Sequence, residues 1–173
     1  MTVAIVTTSD RPELVPVVAG WLWGEFARAR GRSLEYVLDA VGKSVTARPM
    51  PRTFVLLEDG EPLGTASLTA HYLDERPDLT PWLAGVFVEP RARGRGRAGH
   101  LIAAVEQEAR AACIPTLWLY TRAAERVYAR AGWRTVETIR RDGASYALMR
   151  RDLVAVPSGD LAARPGEDAR GTD

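Results

Sequence analysis

Two Asp-Gly dipeptides, Asp59-Gly60 and Asp142-Gly143, constrain this chain more than any other feature. Each lies between runs that read as strands. TFVLLE precedes and PLGTASLTAHYL follows the first, while WRTVETI and ASYALMRR flank the second. Asp-Gly between such runs signals a two-residue hairpin, whose central residues both take positive φ. Two tight hairpins commit four strands to antiparallel pairing, which does not fit a doubly wound parallel sheet.

Helical patterns separate the strands. Leu14, Val17, Val18, Trp21, Leu22 and Phe26 recur at helical spacing. Asp10, three residues before Glu13, and Pro12 supply the start signal, and Gly31 the end. Ser33 can cap a second helix with Leu34, Val37, Leu38 and Val41 on one face. VAIVTT, WLAGVFV and TLWLY read as further strands. Leu101, Ile102, Val105 and Ala109 mark a helix whose opposite face carries Glu106, Gln107 and Arg110. Arg122 to Ala131 forms the last helix, closed by Gly132. The expected order is β-α-α-β-β-β-α-β-α-β-β. It implies a single α/β domain over residues 1–153, with a mixed, mostly antiparallel central sheet flanked by helices. Residues 154–173, rich in Pro, Gly, Asp, Ala and Arg without periodicity, read as a disordered tail.

No apolar run approaches the roughly 18 residues of a membrane span, and MTVAIVTTSD lacks the regions of a signal peptide. The only cysteine, Cys113, excludes an internal disulfide and reads as a small buried residue in a helix. These features favour a cytoplasmic protein with no membrane partner. With two histidines and no ligand spacing, no metal site is expected.

The run RARGRGRAGHLI (91–102) spells G-x-G-x-x-G at Gly94, Gly96 and Gly99. A dinucleotide site needs an acidic residue at the end of the next strand. That strand ends Leu119-Tyr120-Thr121, without a carboxylate. A nucleic-acid arm needs a basic face with interleaved aromatics, but Glu106 and Glu108 follow instead. Net charge is +1, and all but one of the 23 basic residues are Arg, so clustered arginines are compositional as much as functional. The third reading is a pyrophosphate cradle: glycines allow close backbone approach, and a helix N-terminus points N–H groups at the anion.

In this frame the residues resemble the GCN5-related N-acetyltransferases, whose signature is R/Q-x-x-G-x-G/A between a strand and a helix. Arg93-Gly94-Arg95-Gly96-Arg97-Ala98 fits it, and Val86-Phe87-Val88-Glu89-Pro90 is similar to the family's lead-in. Ala124 to Trp133 is similar to its A-x-x-x-Y-x-x-x-G-F segment. Thr121 stands where the family often has Asn, and Arg97 where it prefers Ile or Leu.

The resemblance implies an acyl-CoA N-acyltransferase-like fold and acetyl transfer from acetyl-CoA to a primary amine of a small molecule, by direct attack in a ternary complex. Backbone N–H groups from Arg93 to Gly99, through Gly94, Arg95, Gly96, Arg97 and Ala98, would bind the CoA pyrophosphate. Val86, Phe87 and Val88 would pair with the pantetheine amides like an added strand, and Thr121 would touch the same arm. An N–H on that strand could stabilise the oxyanion.

Tyr128 would protonate the departing thiolate; periodicity alone reads it equally as a core residue. His71 is the named candidate base, with Glu25, Asp74, Glu75, Asp78 and Glu89 as further candidates or plain surface charges. Trp21, Trp23, Tyr36, Tyr72 and Trp82 could line an acceptor pocket or belong to the core. The loop at 74–78 could meet a cationic acceptor or simply be solvated. The expected partners are acetyl-CoA and an amine, without nucleic acid; a homodimer is compatible. The alternatives are a non-catalytic CoA- or anion-sensing module and, third, a nucleic-acid binder.

Overall fold

Both Asp-Gly turns form. Asp59 and Gly60 have φ of 50° and 84°, and Asp142 and Gly143 have 50° and 73°, the paired positive values of the expected hairpin turn. The computed structural model describes residues 1–153, so the expected tail lies outside the described residues. The strands are β1 (Val3–Thr7), β2 (Arg52–Glu58), β3 (Glu61–Thr69), β4 (Trp82–Val88), β5 (Thr116–Thr121), β6 (Arg134–Arg141) and β7 (Ala144–Asp152). The helices are α1 (Val15–Leu22), α2 (Leu34–Gly42), α3 (Arg97–Ala111) and α4 (Glu125–Arg130). Their order matches the expected one.

The seven strands form one sheet in the order β1-β2-β3-β4-β5-β7-β6. Every pairing is antiparallel except β4 with β5. Strand β2 shows how the sheet divides two cores, since alternate residues face opposite ways. Val55 and Leu57 pack with Leu14 of the turn before α1, Val18 of α1, and Val37 and Val41 of α2. Phe54 and Leu56 pack with Leu101, Ile102 and Val105 of α3 and with Tyr128 of α4. Among the described residues no helix is long and apolar enough to cross a membrane.

Four local expectations are corrected. Asp10 does not cap α1; its carboxylate turns back to accept from the Thr7 hydroxyl at 2.6 Å, and a 3₁₀ turn at Pro12–Leu14 precedes the helix. Strand β3 stops at Thr69, because Tyr72 and Leu73 turn inward onto Trp82. Cys113 is exposed, with φ of 57°, in the left-handed position that follows α3. Glu106 is buried: it accepts from the Trp133 indole at 2.9 Å and pairs with Arg110, which satisfies the charge in the interior.

The parallel pair β4–β5 touches at one register point, Trp82 opposite Trp118, with Trp118 N–H donating to Pro81 at 3.1 Å. Beyond it the strands splay, and the remainder of β4 faces a gap within the sheet. A bulge shapes this part of β4. Thr65 pairs with Phe87 and Ser67 with Ala84, so Gly85 and Val86 together oppose Ala66. Gly85 takes φ of 59°, and a Cβ there would lie 3.1 Å from Leu22 Cδ2. Gly85→Ala is expected to lower stability by about 1–2 kcal/mol in urea denaturation. Gly20→Ala, where the new methyl meets nothing within 4 Å, is expected to raise it by about 0.5–1 kcal/mol. Equal effects would show that the bulge does not need a left-handed residue.

Candidate active site

The residues that the motifs singled out lie on β4, on the loop into α3, at the end of β5 and on α4. Phe87 stacks on Trp21 of α1, with ring centroids 5.3 Å apart. The Trp21 indole donates to Glu89 at 2.7 Å, so that carboxylate is already engaged. Val86 and Val88 join the α3 side of the core.

At the end of β4 the chain enters α3 through the glycine–arginine loop. Gly94 and Gly96 both adopt left-handed backbone, with φ of 77° and 72°, and Gly96 is the N-cap of α3. Neither is crowded, since an added Cβ meets nothing within 4 Å. The requirement is therefore conformational. The N–H groups of Gly94, Arg95, Gly96, Arg97 and Ala98 have no backbone acceptor among the described residues. Arg93 donates to Pro90 and Gly99 to Gly96, so the available run is five consecutive donors rather than seven. At Gly99 an added Cβ also meets nothing, so close packing is not what that position supplies.

The arginines of the loop are mostly occupied. Arg91 donates to Glu61 at 2.6 Å, and Arg93 donates its Nε to the Val88 carbonyl at 2.9 Å while lying over Phe87. Arg97 turns inward to Glu58, both side chains being about one-tenth exposed. Its guanidinium ties the loop to β2 instead of facing an incoming anion. Arg95 alone of the four makes no side-chain hydrogen bond or ion pair among the described residues. A depression of about 410 Å³, lined by Glu58, Arg91 and Arg95, adjoins the loop. A larger one, about 540 Å³, lies along the far side of α3 against β1 and β2 and includes His100; it is remote from the gap.

On the α3 side, Tyr128 packs edge-on to Trp133 at 6.3 Å. Its ring is buried, yet its hydroxyl is absent from the buried unpartnered polar atoms and makes no hydrogen bond with any described residue. The oxygen is thus accessible and free to donate. Burial pushes the phenol up to about 12. Thr121, at the end of β5, accepts from the Ala124 N–H at 3.1 Å and so holds the entry to α4. His71 is exposed two residues beyond β3, and its ring contacts none of the residues above through a hydrogen bond. Of the other acids considered, Asp78 is chelated by Arg76, and Glu75 lies 3.5 Å from Arg141.

On the other face of β5, sequence reasoning named Tyr72 and Trp82 of a second wall but missed Tyr120 and Tyr146. Tyr72 lies 5.3 Å from Tyr120, and Tyr120 packs edge-on to Trp82 and Tyr146 at 6.2 and 5.6 Å. Burial raises the Tyr72 phenol well above its ordinary range. Trp82 is wholly buried, while Tyr36 is exposed beneath Arg32. Period-two alternation on β5 and β7 could have placed Tyr120 and Tyr146 on one face. Nothing in the sequence brought Arg30 and Arg141 to them.

A family model described as the acetyltransferase (GNAT) family matches residues 16–133. No curated protein sequence matches the chain. Among solved structures, an aminoglycoside 6'-N-acetyltransferase complexed with coenzyme A superposes with a TM-score of 0.70 at 13% identity, covering 96% of this chain and all of that one. An N-acetyltransferase from Staphylococcus aureus Mu50 gives 0.69 at 17% identity, covering 89% of this chain and all of that one. An aminoglycoside 6'-acetyltransferase type Ii gives 0.69 at 15% identity, with 91% and 100% covered.

The buried phenol has a consequence for alkaline stability. An unfolded tyrosine releases its proton near 10, and the folded Tyr128 holds it until about 12. Its stabilising contribution is therefore complete below about pH 10 and is lost as pH rises toward 12. Tyr128→Phe is expected to shrink the fall in unfolding free energy over that window by on the order of 1–3 kcal/mol. Denaturant titrations of both proteins from about pH 9 upward measure this; identical slopes would contradict the burial.

Proposed function

The chain belongs to the GNAT acetyltransferase family, and on that premise we propose that it transfers the acetyl group of acetyl-CoA to a primary amine of a small molecule. The observation that carries the proposal is that three features border one core, in which Val88 of β4, Leu101 of α3 and Tyr128 of α4 pack together. The features are the five free N–H groups at the start of α3, the unpaired stretch of β4, and the accessible hydroxyl of Tyr128.

The pyrophosphate of CoA would sit on the N–H groups of Gly94 to Ala98, where the N-terminal partial charge of a 15-residue helix adds to the hydrogen bonds. Arg95 supplies the free guanidinium. The pantetheine arm would then lie along Val86–Val88, its amides pairing with the open edge of β4 as an added strand. Thr121 borders this arm from β5, donating its hydroxyl proton while its oxygen holds Ala124.

Reaction begins when the amine nitrogen attacks the thioester carbonyl carbon. The carbonyl oxygen becomes an oxyanion that an N–H of the bulged strand can stabilise. Collapse breaks the carbon–sulfur bond, and Tyr128 donates its proton to the leaving thiolate. A phenol near 12 is fully protonated at neutral pH, so it is always armed as a donor. The amine must lose a proton as well. We assign its removal to water at the mouth of the gap, with His71, exposed on the Tyr72 loop, passing it to solvent.

Tyr128→Phe is expected to lower kcat by about 10²–10⁴-fold while acetyl-CoA affinity changes little. Stopped-time assays of thiol release with calorimetric titration of acetyl-CoA measure the two; an unchanged kcat would remove Tyr128 from the chemistry. Gly96→Val is expected to weaken acetyl-CoA binding at least about tenfold, because the left-handed N-cap is strained for a β-branched residue. Undiminished affinity would sink the cradle.

A further inference from the structure

Two guanidinium groups converge where the acetyl chemistry does not use them. Arg141 Nη1 donates to the Tyr120 hydroxyl at 2.8 Å, and Arg30 Nη1 to the same oxygen at 3.4 Å. Arg30 comes from the turn that follows α1, and Arg141 from the end of β6. These segments are distant in sequence and meet above the aromatic wall formed by Tyr72, Trp82, Tyr120 and Tyr146. That wall borders the gap from the face opposite α4. Leu119 packs in the same core as Tyr128 while its neighbour Tyr120 joins the wall, so Tyr128 and the wall flank β5 on its two faces.

The acids nearby do not neutralise the pair from within. Glu75 lies 3.5 Å from Arg141 Nε, and Asp142 lies 3.9 Å from Arg141 and 4.0 Å from Arg30. Charge-assisted hydrogen bonds are about 2.7–2.9 Å long, so these are loose ion pairs. Glu75 and Asp142 are 60% and 67% exposed, against 34% for Arg30 and 19% for Arg141. The acids therefore stand at the rim in water, where screening weakens them. The cations stand inside, and Arg141 Nη2 donates to no described residue. A polycationic amine would meet these guanidiniums before reaching the thioester. The four charges sum to zero, but the acids are solvated and the guanidiniums sit deeper, so the inner side of the cluster stays weakly positive, which suits a singly charged carboxylate better than a doubly charged phosphate.

We infer that the acceptor is an amine that also carries a carboxylate, with Arg30 and Arg141 gripping the carboxylate over Tyr120 while the amine reaches the thioester beside Tyr128. This rests on the transferase reading above. The guanidinium fork matches a carboxylate in plane, and the aromatic wall excludes water from the contact.

Product binding tests the subsite without turnover. N-acetylated α-amino acids, covering small, aromatic and acidic side chains, are titrated calorimetrically into the CoA-saturated protein beside their primary amides. At least one acid is expected to bind about tenfold or more tightly than its amide. Arg30→Gln and Arg141→Gln are each expected to erase that difference, Arg141→Lys to restore part of it, and Asp142→Asn to enlarge it. Thermal unfolding of each variant identifies any that fail to fold; Arg30→Gln, at a partly exposed site, keeps the test standing if Arg141→Gln does not fold. Acids and amides binding alike, or neither binding, would overturn the proposal. So would loss of both by the same factor in the arginine variants, the pattern expected if they only brace Tyr120. Wild-type protein that does not bind CoA would strike at the transferase reading itself. CoA binding without acid preference would strike at the carboxylate subsite alone.

Discussion

The single parallel contact between β4 and β5 is the constraint on which the rest depends. Trp82 opposite Trp118 joins two antiparallel half-sheets at one point, and from there the strands diverge. A wholly buried Trp82 makes that point a fixed pivot. Packing decides what fills each side of the wedge. The α3 core carries Tyr128 to one flank, and the smaller cluster around Leu73, Leu79 and Trp82 carries Tyr72 and Tyr120 to the other. Had β5 paired along its whole length, the backbone groups of β4 would be spent within the sheet and the two flanks would not communicate.

The glycine–arginine loop illustrates how composition and geometry divide the work. Its glycines have a conformational task, turning the chain sharply so that successive N–H groups point one way. Its arginines are largely structural fasteners: Arg91 to β3, Arg93 back onto β4, and Arg97 onto Glu58 of β2. Breaking the Arg97–Glu58 pair would leave a buried charge alone, a loss of about 3–5 kcal/mol in typical cases. An abundance of arginine in this loop is thus compatible with a single guanidinium, Arg95, left without a side-chain partner among the described residues.

Sequence reasoning reached the element order, both hairpins and the glycine turn into α3 because these are local: turn residues, periodicity and a capping glycine act within a few positions. It failed where long-range contacts override local pattern. Glu106 sits on the polar side of its helix by composition, yet the Trp133 indole and Arg110 draw it inside. Asp10 follows the spelling of a helix cap but is captured by Thr7. The wall of Tyr72, Tyr120 and Tyr146 with Arg30 and Arg141 joins five segments, and strand alternation relates only Tyr120 and Tyr146 among them. His71 lies on the exposed loop after β3, and the identity of one side chain says nothing about where a loop will carry it.

An unpaired strand edge usually lies at the margin of a sheet, where any other strand can join it. Here the open edge of β4 lies in the interior, between two halves of the same sheet. Only something as narrow as one extended chain, with little branching toward β5, can slide in and satisfy it. On the transferase reading proposed above, the splay would act as a gauge of width before any side chain takes part in recognition. It would refuse a folded partner or a bulky peptide while accepting a slender, amide-bearing arm.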